Sequence, residues 1–210
     1  MHSGMTMGNR THISPEGVKY RLIAVKETTP TTDKTIKKVI ADTTSIEVIV
    51  SDSRLRSRGS QWGHVAIEID GIVYSRAHEE YVKIDKSTYL HGGIVSLVNG
   101  SIRTGGNLWR DNLGLVVRLS PIEKEKIRKE LERRVAVDRA FKSVHPHSST
   151  YSVFDNSCSS NVADVLESIG ILAHDPRWLP TPVTPAELLA VLEKSKRLAK
   201  KNHYPKRTDQ

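Results

Sequence analysis

Hydrophobic positions along this chain change their period near residue 120. Before that point they come in short, β-branched or alternating runs, and after it they recur every three or four residues. Val18 to Val25 and Ile46 to Val50 read as strands, separated from the next run by a polar, Arg-rich loop, Ser51 to Gln61. The strongest β signal follows. His64 to Ile69 and Ile72 to Ala77 flank Asp70-Gly71, a pair that tolerates the positive φ angles of a type I′ hairpin turn. Gly92 to Val98 and Leu113 to Leu119 are expected to complete one antiparallel sheet. Beyond them, Ser120-Pro121 opens a helix through Ile127, Leu131 and Val135 to about Phe141, with serine as cap and proline in the first turn. Cys158 to Ile169 carries Val162, Val165, Leu166 and Ile169 at helical spacing, with Gly170 as its stop. Thr184-Pro185 opens a last helix with Leu188, Leu189 and Leu192 on one face. Strands followed by helices predict an α+β fold, an antiparallel sheet packed against helices.

Composition narrows the class. A chain of 210 residues with 37% hydrophobic content can bury one sizeable core, so a single domain over 18–200 is expected. It is flanked by a flexible polar arm, 1–17, and a basic tail, 201–210. The chain shows no internal repeat, and the short Thr-rich stretch Thr28 to Thr35 is its one biased segment. The N-terminal residues lack the charged start and apolar run of a secretory signal. No apolar stretch approaches the roughly 18 to 20 residues of a membrane span. Synthesis in the cytoplasm is expected, with any export by another route. The formal net charge of +8, concentrated in Lys194, Lys196, Arg197, Lys200, Lys201, Lys206 and Arg207, favours polyanionic partners, although a solvated helix face is the plainer reading of that run. Nucleic acid is not expected as a partner, because aromatic residues make up 5% of the chain and do not interleave with the basic ones.

One cysteine excludes an internal disulfide and a thiolate-rich zinc site. The histidines form no His-x-x-x-His pair with a nearby glutamate, so neither a metal nor any other cofactor is expected. Cys158 sits in Asn156-Ser157-Cys158-Ser159-Ser160-Asn161, directly before its helix acquires apolar periodicity. That places the thiol in a first helical turn, where unpaired N–H groups and the helix dipole favour thiolate. A core-filling cysteine belongs on the apolar stripe instead. Among nine histidines, His2, His12 and His203 fall in expected tails, and His145, His147 and His174 in loops. His64 differs, because it begins the best strand, where a fixed backbone could face a helix start. On position alone, a structural histidine and a catalytic one remain open.

Trp62-Gly63-His64-Val65-Ala66-Ile67-Glu68-Ile69-Asp70-Gly71 resembles the Gly-His strand and hairpin of the permuted NlpC/P60 group of papain-like proteins. Asn156 to Asn161 resembles that group's Asn-Cys segment, and histidine precedes cysteine here as it does there. The resemblance implies a circularly permuted papain-like fold, with Cys158 as nucleophile and His64 as its base. Ser75 aligns with the position that orients the histidine, although relatives often carry a stronger partner there; His78, Asn161 and Asp33 are the alternatives. The chain as a whole is similar to type VI secretion effectors that attack bacterial cell walls. That likeness implies a peptidoglycan substrate, a spike or carrier protein, a cognate immunity protein, and action in the target cell's periplasm. A lipid or protein acyl hydrolase or acyltransferase like lecithin:retinol acyltransferase uses the same cysteine and histidine, and is the alternative.

Overall fold

A computed structural model describes residues 11–14, 19–28, 36–41, 43–52, 63–91, 93–95, 102–104, 110–152, 156–173 and 183–206. Its centre is a six-stranded antiparallel sheet of order β11-β10-β4-β5-β6-β7. The strands are β4 (Thr44–Ser51), β5 (His64–Ile69), β6 (Ile72–Arg76), β7 (Tyr81–Asp85), β10 (Asn112–Leu119) and β11 (Leu198–Tyr204). A second, three-stranded sheet holds β1 (Thr11–Ile13), β2 (Lys19–Thr28) and β3 (Ile36–Ala41), and β8 (Gly93–Val95) pairs with β9 (Ile102–Thr104) as a separate ribbon. The helices are α1 (Lys86–His91), α2 (Pro121–Val144), α3 (Cys158–Glu167) and α4 (Pro185–Glu193).

Alternation along the strands divides the core between the two faces of the large sheet. Val48, Val50, Val65, Ile67, Ile69, Leu115 and Val117 point to one face, where Ile127, Leu131 and Val135 of α2, Val162, Val165 and Leu166 of α3, and Leu188 and Leu192 of α4 cover them. The opposite face carries Ile49, Ala66 and Val73 against Tyr89 and Leu90 of α1. The expected hairpin turn is present, with Asp70 at φ 50° and Gly71 at φ 85°. Ser120 and Glu123 form a reciprocal cap at the start of α2.

Several expectations need correction. Residues 194–206 do not form a helix face, nor are 201–206 simply a tail. Leu198–Tyr204 is an edge strand whose Asn112↔Tyr204 and Leu115↔Lys201 pairings add it to β10. Its half-buried Leu198, Asn202 and Tyr204 point inward while Lys200, Lys201 and His203 stay exposed, an arrangement that also discourages edge-to-edge pairing. His203 therefore lies in a strand, 3.4 Å from Asp111. The expected arm is not wholly loose, because Thr11–Ile13 pairs with β2; residues 1–10 and 15–17 lie outside the described residues. Gly93–Val95 joins the ribbon rather than the main sheet, and β3, β7 and α1 had no clear sequence signal.

Candidate active site

Neighbouring chain geometry brings three of the expected residues to one end of the sheet. His64 is the first residue of β5, Ser75 lies on the adjacent β6, and Cys158 is the first residue of α3, which packs on β5. Gly63 makes the entry to β5 possible. It adopts φ +97°, and a Cβ there would fall 2.9 Å from the Ser51 carbonyl oxygen and against Pro185 at the start of α4. Ser157 caps α3, its hydroxyl accepting from the Ser160 N–H, while Ser160 Oγ accepts from the Ser157 N–H at 2.8 Å. This cap fixes the first turn and with it the cysteine backbone.

His64 Nε2 and Ser75 Oγ are 2.5 Å apart, and Ser75 is buried. The second ring nitrogen is left for the thiol, with which His64 interacts both as a charge and through a hydrogen bond. Burial alone would push the Cys158 thiol up. His64 and the backbone N–H groups of Val65 and Ser159 outweigh it and bring the thiol down to about 7 from its ordinary value of 9.0. The sign is testable without a substrate: Cys158 alkylation by iodoacetamide is expected to rise with pH through a midpoint near 7. An inert core thiol would have its midpoint at 9.0 or above. Stopped-time alkylation followed by intact mass reads the midpoint.

Of the other expected partners of His64, Asn161 and His78 have contacts elsewhere. The Asn161 amide donates to Asn156 Oδ1 at 2.7 Å and to the Ser157 carbonyl, and accepts from Arg134 at 2.8 Å, tying α3 to α2. His78 is exposed, with its ring centroid 5.1 Å from that of Tyr151. Asp33 lies outside the described residues. His145 and His147 are exposed in the loop after α2, and His174 lies outside the described residues.

Two residues without a sequence signal complete the surroundings. Tyr151 interacts with Cys158, and burial followed by the thiolate's negative charge pushes its phenol up to about 12, so it remains an O–H donor beside the sulfur. Arg76, next to Ser75 on β6, is buried; it pairs with Asp138 of α2 at 3.3 Å, donates to Thr150 Oγ1 at 3.0 Å, and lies 5.7 Å from the centroid of the Tyr151 ring. Asp138 in turn accepts from the Tyr81 N–H at 2.7 Å. Arg76 was not legible because its contacts join residues 62 and 74 positions apart. Among the described residues, no group of three or more His, Cys, Asp and Glu side chains is placed to hold a metal ion.

No protein-family profile matches the chain, and no curated protein does. Among solved structures, the chain is similar to the crystal structure of the type VI secretion system effector TseH, at 15% identity and a TM-score of 0.45, covering 71% of this chain and 88% of that one. The chemistry of the site is therefore read from its own side chains.

Proposed function

We propose that this chain is a cysteine hydrolase of the permuted NlpC/P60 type that cleaves amide bonds of bacterial peptidoglycan as an antibacterial type VI secretion effector. The single observation that carries the chemistry is the alignment of Cys158, His64 and Ser75, with the thiol held near 7 by the imidazole beside it. Cys158, with its proton taken by His64, attacks the scissile carbonyl carbon. The carbonyl oxygen takes up negative charge near the first turn of α3, where the Cys158 N–H has no partner within the helix. His64 then protonates the departing amine, the C–N bond breaks, and an acyl thioester remains on Cys158. Water, deprotonated by His64, releases the acid and restores the thiolate. Ser75 keeps the ring in register and does not react.

The cell-wall substrate rests on the sequence resemblance and on charge. Lys194, Lys196, Lys200, Lys201 and Lys206 are all exposed on or around the β11 edge, a surface suited to an acidic polymer. Delivery, with a spike or carrier protein and an immunity protein as partners, follows from the same resemblance. Among the described residues no helix is long and apolar enough to cross a membrane. Purified protein incubated with sacculi is expected to release new stem-peptide or cross-link fragments by mass spectrometry, and the Cys158→Ala variant none. A reactive Cys158 without wall cleavage would overturn the substrate and direct the search to acyl esters and acylated proteins.

A further inference from the structure

The turn that carries Cys158 is tied into a closed ring of hydrogen bonds that returns to α2 on both sides. Arg134 and Asp138 stand one turn apart on that helix. From Asp138 the ring passes at 3.3 Å to Arg76 of β6, the residue after Ser75, and from Arg76 Nη2 at 3.0 Å to Thr150 Oγ1. Asn156 Nδ2 donates to the Thr150 carbonyl at 2.7 Å and to Thr150 Oγ1 at 3.3 Å. Asn156 Oδ1 accepts from Asn161 Nδ2 at 2.7 Å, and Asn161 Oδ1 accepts from Arg134 Nη1 at 2.8 Å, which closes the ring. Asn161 Nδ2 also donates to the Ser157 carbonyl at 2.9 Å, so Cys158 lies between two ring members along the chain.

Obligate partners fix the polarity of this ring at both ends. Arg134 can only donate, which turns Asn161 Oδ1 toward α2 and the Asn161 NH₂ toward Asn156 and Ser157. The Thr150 carbonyl can only accept, which turns Asn156 Nδ2 toward it and leaves Oδ1 for Asn161. The two requirements agree. Arg76, Asp138 and Asn161 are buried, so their bonds are not readily exchanged for water. What the ring adds to packing is direction. Val162, Val165 and Leu166 seat α3 on the sheet through apolar contact, which tolerates small slides and rotations, whereas hydrogen bonds do not.

We infer that the Asp138–Arg76–Thr150–Asn156–Asn161–Arg134 ring registers the first turn of α3 against β6, and so sets the reach between the Cys158 thiol and the imidazole that Ser75 orients. Thr150, Asn156 and Asn161 are positioning residues in this account, acting through Cys158 rather than on substrate. The inference rests on the hydrolase reading and deepens it. Strand β6 gives Ser75 to the histidine and, through the next residue, a tether to the cysteine, so one strand aligns both halves of the pair.

Alkylation of Cys158 against pH tests this in full-length protein without substrate. Asn156→Ala and Asn161→Ala should each raise the midpoint above its expected value near 7 and slow alkylation at pH 7 by roughly threefold. The double variant should go little further than the larger single, because either break opens the same ring. Thr150 lies at the surface, so Thr150→Val should fold readily and raise the midpoint less; Thr150→Ser, which keeps the hydroxyl, should restore it. Arg76→Met with Asp138→Leu keeps volume but donates nothing to Thr150, so its midpoint should stay raised even where urea unfolding shows stability recovered. Lys126→Met removes a tie from α2 to the Ser168 carbonyl, 2.8 Å long, at the far end of α3, and should leave the midpoint in place. Parent-like midpoints in folded Asn156→Ala and Thr150→Val, or an equal rise in Lys126→Met, would overturn the positioning role alone. A parent midpoint at 9.0 or above would strike the hydrolase reading and the inference with it.

Discussion

Cys158→Ala is expected to lower kcat for wall cleavage by about four orders of magnitude or more, and adding His64→Ala should cost almost nothing further. The two side chains act as one unit. Without the sulfur there is no acyl acceptor for His64 to serve, and without the imidazole the buried thiol loses the interactions that hold it near 7. His64→Ala alone should therefore be nearly as severe, and its residual alkylation should shift to higher pH. Cys158→Ser would supply an oxygen whose proton is far harder to remove, and should remain close to the alanine variant. Rates of fragment release from sacculi, measured on single and double variants of matched thermal stability, check this. Additive losses would mean that the two residues act separately.

The second large effect is on stability. Asp138→Ala should destabilise the fold by about 3 to 5 kcal/mol, since it leaves the Arg76 guanidinium buried and unpaired and the Tyr81 N–H without its acceptor. Arg76 sits between Ser75 and the Thr150-Tyr151 segment, so the damage should reach the site, and the remaining folded protein should show slower Cys158 alkylation. Urea unfolding gives the stability change. Arg76→Met combined with Asp138→Leu, which removes both charges and keeps volume, should recover much of the loss, because two well-packed apolar side chains avoid the desolvation of a buried pair.

The parts of this site visible in sequence are those set by local rules. Asp70-Gly71 announces the hairpin because few other pairs accept two successive positive φ angles, and the hairpin fixes where His64 starts and where Ser75 lies. Ser157 and the onset of apolar spacing place Cys158 at a helix start, since a capping hydroxyl and an amphipathic face leave little choice. The C-terminal strand misleads because a run rich in lysine resembles a solvated helix face. Its strand state comes from the partner β10 and from the carboxylate of Glu47, which receives Tyr204 and Asn202 through the gap left by Gly114. A Cβ at Gly114 would lie 1.7 Å from Glu47 Oε1, a constraint that no local pattern reveals. Ser51, bonded to Asn112, and Arg76, paired with Asp138, are hidden for the same reason. Each is an ordinary strand or helix residue until tertiary packing supplies its partner.

Trapping the acyl-enzyme tests the central claim most directly. Full-length protein mixed with muropeptides and quenched in acid within a turnover should carry, by intact mass and peptide mapping, a stem-peptide acyl group on Cys158 in a hydroxylamine-labile bond. The adduct should be absent from Cys158→Ala. Cleavage that persists in Cys158→Ala, or a stem-peptide adduct mapped to any other residue, would contradict the assignment of Cys158 as the nucleophile.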